Sequence, residues 1–220
     1  MKRGRKPTID AADITRAAIA IADAEGLAAV SMARVAQEMG NATMALYRHV
    51  KSKDELLALM WDAAMEDPPP LPDGEWRDRL GVWARALLRA IRRRPWFLRI
   101  PISGPPVGPG NLAWLDSALT ALGGTPLEPG EKVGVVMGLS TFVQGEARLT
   151  TTPSQGFQSN PDQYGQALRA VVDPRTMPAL TEVIEAGAFD VAHGDDIGAD
   201  FDFGLRLFLD GVAAHIARRA

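Results

Sequence analysis

No cysteine occurs in the chain, so neither a disulfide framework nor a zinc–thiolate site can be built. A thiol-free chain fits a reducing cytosol, and a cytoplasmic protein is expected. Histidine is nearly as scarce: His49, His193 and His215 are the full set. No Gly-x-Ser-x-Gly or His-Glu-x-x-His pattern is present, so the residue inventory speaks against an enzyme. The run GPPVGPG, 104–110, lacks the Gly-Lys-Ser/Thr of a phosphate loop and reads as a connector. No stretch of 18 uncharged apolar residues exists, so no membrane span is expected. The start, MKRGRKPTID, is not backed by an apolar segment and does not read as a signal peptide. His193 stands beside Asp195 and Asp196 in AHGDD, where an acidic loop is preferred to a metal site. Neither a metal nor any other cofactor is expected.

What the chain does have is an uneven charge distribution. Its net charge over 220 residues is −3, which by itself is unfavourable for a nucleic-acid binder. Residues 1–60, however, hold nine Lys/Arg against seven Asp/Glu, and the remainder holds 15 against 20. Four of the positive charges, Lys2, Arg3, Arg5 and Lys6, fall in the first six residues. A basic arm on an acidic body keeps non-specific affinity modest and leaves one end attractive to phosphate. Such an arm can also enter a minor groove.

Apolar residues recur at helical spacing along most of the chain, and no convincing strand alternation is found. The expected fold is all-α: an N-terminal three-helix helix-turn-helix domain plus a larger helical domain for ligand binding and dimerisation. Ile14, Ala17, Ala18, Ile21 and Ala22 mark the first helix, capped by Asp10 and ended by Gly26. Ser31 caps a second, with Met32, Val35, Ala36 and Met39 apolar and Gly40 breaking it. Residues 42–49 form a third, with Met44 outward and Leu46 and Val50 inward. Ser52 caps a fourth, Lys53 to about Ala64, with Glu55 completing a capping-box pattern. The run DPPPLPDG, 67–74, is a stiff spacer. It divides a helix-turn-helix domain (1–66) from a helical body (75–220). Further helices are expected at 75–93, 111–122, 129–149, 161–172, 177–187 and 199–218.

Short helices joined by tight turns at Gly26 and Gly40 form a helix-turn-helix, whose second helix lies in the major groove. The helix at 42–49 is then the reader. Thr43, Met44, Tyr47 and Arg48 point away from Leu46 and Val50. Thr43 and Met44 suit base edges, including a thymine methyl, and Arg48 suits a guanine or a phosphate. Tyr47 and His49 have polar tips fit for phosphate oxygens. Lys53, at a helix N-terminus, adds charge beside free backbone N–H groups.

The stretches "ADAEGLAAVSMARVAQEMG" and "ALYRHVKSKDELL", with their spacing, resemble the DNA-binding domain of the TetR family of bacterial transcriptional regulators across residues 10–64. After the turn glycine the family usually has a small apolar residue and then Ser or similar. Here Asn41 and Ala42 follow, so Asn41 is the expected substitute cap. The resemblance implies a homodimer on a palindromic double-stranded DNA operator, with a ligand in the C-terminal domain that lowers DNA affinity. "FGLRLFLDGVAAHIARR" resembles the family's final dimerisation helix, and the helix order resembles the tetracycline-repressor branch. That branch senses through a histidine-bound magnesium. No histidine stands between 50 and 192 here, so metal-free sensing of a small apolar or aromatic effector is expected.

Candidate effector contacts are the aromatic and apolar residues Trp83, Trp96, Phe97, Trp114, Met137, Phe142 and Phe157. Thr141, Gln144 and Arg148 are the polar anchors, since ligand sites are mostly apolar with a few polar groups. Aromatics at helical spacing also serve as plain core. RRRP, 92–95, is read as the cationic end of a helix rather than an extension of the DNA site. The helices at 129–149 and 199–218 carry small residues, Gly134, Gly138, Gly204 and Gly211, that allow a four-helix interface across a two-fold axis. A reading from another class also stands: a helical small-molecule binding protein without an operator.

Overall fold

A computed structural model of the chain describes residues 9–65, 67–101, 107–151, 161–189 and 198–219. Within them lie ten α-helices and no strand, so the fold is all-α. The helices are α1 (Ala11–Glu25), α2 (Met32–Glu38), α3 (Thr43–Leu46), α4 (Lys53–Ala63) and α5 (Trp76–Arg93). They continue as α6 (Pro109–Ala121), α7 (Pro129–Thr151), α8 (Pro161–Val171), α9 (Pro178–Glu185) and α10 (Ala199–Ala217). Two short 3-10 segments, Leu27–Ala29 and Pro95–Arg99, were not expected from the sequence pattern. By compactness the chain forms two units: residues 1–147 with 212–220, and residues 148–211.

The N-terminal helices start where side-chain oxygens are available to their first turns. Asp10 accepts from Asp13 N–H at 2.7 Å, Ser31 from Arg34 N–H at 3.1 Å, and Ser52 from Glu55 N–H at 3.0 Å. Each bond satisfies one donor that the helix cannot pair internally. Glu55 reaches back to the N–H of Lys51 at 2.6 Å, one residue before the cap. Gly40 ends the second helix with φ +64°, a backbone that a side chain would strain. The apolar stripes meet in one core: Ile14, Ala18 and Ile21 of α1, Val35 and Ala36 of α2, and Leu56 and Met60 of α4.

The reader is shorter than its expected span of 42–49. Its regular part is four residues, followed by a turn through Tyr47 and His49. So short a helix is not stable by itself. It is held from below, because Leu46 and Val50 are fully buried. Asn41 does not cap it: its amide donates to the Met39 carbonyl at 2.7 Å, and the N-cap position is Ala42, without a side-chain bond. The Asn41 side chain therefore closes the turn after α2, a job a short amide does well.

In the body, α5 buries Leu80, Trp83, Ala84, Leu87, Leu88 and Ile91 on one face. Its last turn carries Arg92 and Arg93, where cations complement the helix dipole. Trp114, Ala118 and Ala121 of α6 are buried, as are Val136, Leu139, Val143 and Ala147 of α7. In the second unit, α8 and α9 are tied by Arg169, which donates to the Ile184 carbonyl at 3.2 Å.

Candidate nucleic-acid interface and effector region

The outward side of α3 and the start of α4 form one continuous polar surface. Met44 is 72% exposed, and Tyr47, Arg48, His49, Lys51 and Lys53 are exposed beside it. Thr43 is half-buried at the start of the reader. Among the described residues no carboxylate pairs with the Arg48, Lys51 or Lys53 side chain. By contrast, Arg34 on α2 is held by Glu25 at 2.6 Å and Glu38 at 2.7 Å, which stabilise its charged form. The motif thus ties its α2 arginine to protein and, among the described residues, leaves the cations around the reader unpaired. Lys2, Arg3, Arg5 and Lys6 of the basic arm lie outside the described residues.

The tryptophans and Phe97 of the candidate effector set fall into two separate pairs. Trp83 and Trp114 meet edge-on, with ring centroids 5.7 Å apart, and the Trp83 indole donates to the Trp114 carbonyl at 3.0 Å. Trp83 is 2% exposed, so this pair forms the packed junction of α5 and α6. Trp96 and Phe97 point elsewhere, toward the N-terminal helices. The Trp96 indole donates to Asp23 of α1 at 2.6 Å, and Phe97 stacks on Trp61 of α4 with centroids 5.7 Å apart. On α7, Met137 and Thr141 are exposed, Phe142 and Gln144 half-buried, and Arg148 exposed. Phe157 lies outside the described residues, as do His193, Asp195 and Asp196. Among the described residues no group of three or more His, Asp or Glu is placed to hold a metal ion. No described helix is long and apolar enough to cross a membrane.

Two carboxylates escaped the sequence reading. Asp23 and Asp62 leave the N-terminal helices to bond with residues far along the chain. Asp62 is silent in the linear pattern because its partners are Gly110 and Asn111. The available signal was on the other side: α6 begins Gly108-Pro109-Gly110, with no residue able to cap it.

Comparison with known proteins fits this layout. The description "Bacterial regulatory proteins, tetR family" matches residues 14–60, and the tetracyclin repressor-like C-terminal domain matches residues 68–216. The HTH-type transcriptional repressor DrrR1 of Streptomyces coeruleorubidus is 38% identical over 99% of this chain and 82% of its own length. Apo ActR of Streptomyces coelicolor superposes with a TM-score of 0.82 at 27% identity, covering 98% of this chain and all of its own. ActR in complex with actinorhodin gives a TM-score of 0.81 at 27% identity, covering 96% and 98%. A helix-turn-helix of this geometry, a helical body behind it, and matches that together span nearly the whole chain lead to one conclusion: the protein belongs to the tetR family of bacterial transcriptional regulators.

Proposed function

We propose that the chain is a homodimeric repressor that leaves a palindromic operator when a small apolar or aromatic molecule binds its helical body. The observation that carries the DNA half is the exposed Met44, Tyr47, Arg48, His49 and Lys53 surface, with its cations unpaired among the described residues. Thr43, Met44 and Arg48 read bases, while Tyr47, His49 and Lys53 hold phosphates. The basic arm, Lys2 to Lys6, adds contacts in the adjoining minor groove. The relative DrrR1 is named a repressor, and ActR is seen in complex with actinorhodin and with (S)-DNPA. The first supports repression and the second supports a small-molecule ligand.

The domain boundary belongs at the proline-rich segment 67–74. The effector is expected among α5, α6 and α7, drawn from the candidate set of Trp83, Trp114, Met137, Thr141, Phe142, Gln144 and Arg148. Trp96 and Phe97 sit where the body meets the N-terminal helices, so their effect on an effector is expected to be indirect. Release is a population shift. The effector favours a spacing of the two readers that no longer fits successive major grooves, which takes about 1–3 kcal/mol of coupling.

The test is a selection of duplexes from a random pool at physiological salt, followed by a melting-shift screen of apolar compounds with and without EDTA. A palindrome should be enriched, and stabilising compounds should release it whether or not magnesium is present. Stabilisers that need magnesium would overturn the metal-free reading. Stabilisers that never release DNA would overturn repression by release.

A further inference from the structure

With no cysteine in the chain, the thioether sulfurs of methionine are the side-chain atoms left for a two-electron oxidant to attack. Eight methionines occur, and seven lie among the described residues. The fold shields them unequally. Met32, Met60 and Met65 are buried, and Met39 is half-buried. Met137 of α7 is 54% exposed and Met177, just before α9, 46%. Met44 is the most open of the seven, at 72%.

The place of Met44 is a second, independent observation. It is the second residue of α3 and lies on the outward side, while Leu46 and Val50 anchor the other side in the core. Arg48, Lys51 and Lys53 are exposed on the same surface, and among the described residues no carboxylate pairs with them. The most accessible thioether of the described chain therefore stands on the face that meets the duplex.

We propose that Met44 is a redox switch on the reader: a peroxide converts its thioether to the sulfoxide in the free protein, and operator preference is lost until the sulfoxide is reduced. The proposal rests on the base-reading role given to Met44 above. A sulfur lone pair attacks one oxygen of hydrogen peroxide. The S–O bond forms as the O–O bond breaks, and the hydroxyl proton leaves with the departing hydroxide as water. Sulfur gives up two electrons and the peroxide takes them. The side chain stays neutral, but a soft apolar surface becomes polar and chiral. An apolar contact such as one to a thymine methyl is then lost. The new oxygen is also an acceptor, and it competes with the duplex for the neighbouring cations. The cations themselves are unchanged, so the sequence-independent attraction to phosphate remains. Met137 and Met177 are open to the same reagent but belong to other elements, so they serve as the contrast.

The experiment treats three full-length proteins with hydrogen peroxide: wild type, Met44→Leu, and the double variant Met137→Leu with Met177→Leu. Each is compared with its own untreated form for affinity toward the selected palindrome and toward a scrambled duplex. Fragment masses place the added oxygen, since Met39 and Met44 share one tryptic peptide. Oxygen should appear on Met44 before Met39. In wild type and in the double variant, affinity for the palindrome should fall about 5- to 150-fold, the range that one lost base-edge contact gives. Affinity for the scrambled duplex should hold. Methionine sulfoxide reductases, one for each epimer, should restore the wild type. Met44→Leu, whatever its untreated affinity, should keep that affinity after treatment. The same proportional loss in Met44→Leu would overturn the switch. So would an equal loss on the scrambled duplex, or a loss that the reductases leave in place. Excess palindrome should slow the oxidation of Met44, and an unchanged rate would overturn its contact with the bases and the switch with it. An untreated wild type that selects no palindrome would instead sink the repressor reading, a failure separate from the chemistry at Met44, which the masses report directly.

Discussion

Lys53 is the first residue of α4, exposed, with no ion pair among the described residues, and it follows the reader within seven residues of Leu46. A lysine in that position attracts phosphate without reading sequence. Replacing it by alanine should weaken all duplexes alike and lower the salt slope by about one unit. Titrations at three salt concentrations check this, and a sequence-selective loss with an unchanged slope would remove the role. The reading residues should behave in the opposite way. Met44→Arg and Arg48→Ala should each change operator preference at individual positions by about 1–3 kcal/mol. Repeating the duplex selection with both variants decides it: if the same palindrome returns, the reading face lies elsewhere. The exposure of Met44 and Arg48 was legible from sequence because the period of the helix puts them opposite Leu46 and Val50, which are fully buried.

At the scale of elements, helix identity was readable wherever a polar cap preceded an apolar stripe. Asp10, Ser31 and Ser52 all cap as the sequence indicates. The pattern overstated α3, since four helical residues followed by a turn carry the same apolar positions as two full turns. Asn41 misled for a related reason: an amide can cap forward or close a turn backward, and only the backbone path decides. The Asp62 cap was invisible because it joins residues far apart in sequence. A similar long-range tie holds the end of α10. Glu131 of α7 accepts from His215 at 3.0 Å and from Arg219 at 2.7 Å, and its other oxygen accepts from Glu128 N–H at 2.9 Å. The bond to His215 is the main cause that holds the Glu131 carboxyl below its ordinary value, with the Glu128 N–H next. A carboxylate depressed in the folded state stabilises above its unfolded pKa, and that contribution is lost as pH falls through the depressed value. The melting temperature of the wild type should therefore drop on acidification from about pH 5 downward, and Glu131→Gln should flatten that limb. Melting curves across that range test the assignment, and superimposable acid limbs in the two proteins would rule it out.

At the scale of the whole molecule, the outward face of α7 carries Val133, Met137 and Thr141 at four-residue steps, with Leu149 exposed near its end. On α10, Phe203 and Leu207 are more than half exposed. Val136, Leu205, Leu209 and Val212 are buried inside the protomer. Exposed apolar side chains at helical spacing beside glycines are what two helices need to approach a second pair closely. Among the described residues a Cβ added at Gly134 or Gly211 meets nothing within 4 Å. A side chain can therefore start at either position without its Cβ meeting a neighbour, and tryptophan is a better helix former than glycine. Gly134→Trp and Gly211→Trp should keep the helical content and melting behaviour of a folded chain yet fail to dimerise. Sedimentation should then give the 23.6 kDa protomer in place of a particle twice that mass. Operator affinity should fall with dimerisation, because one reader covers only one half-site. A dimer that survives both substitutions would move the interface off α7 and α10. A monomer that still binds the full palindrome as tightly as wild type would show that the two readers act independently, and release by a change in their spacing would be lost with it.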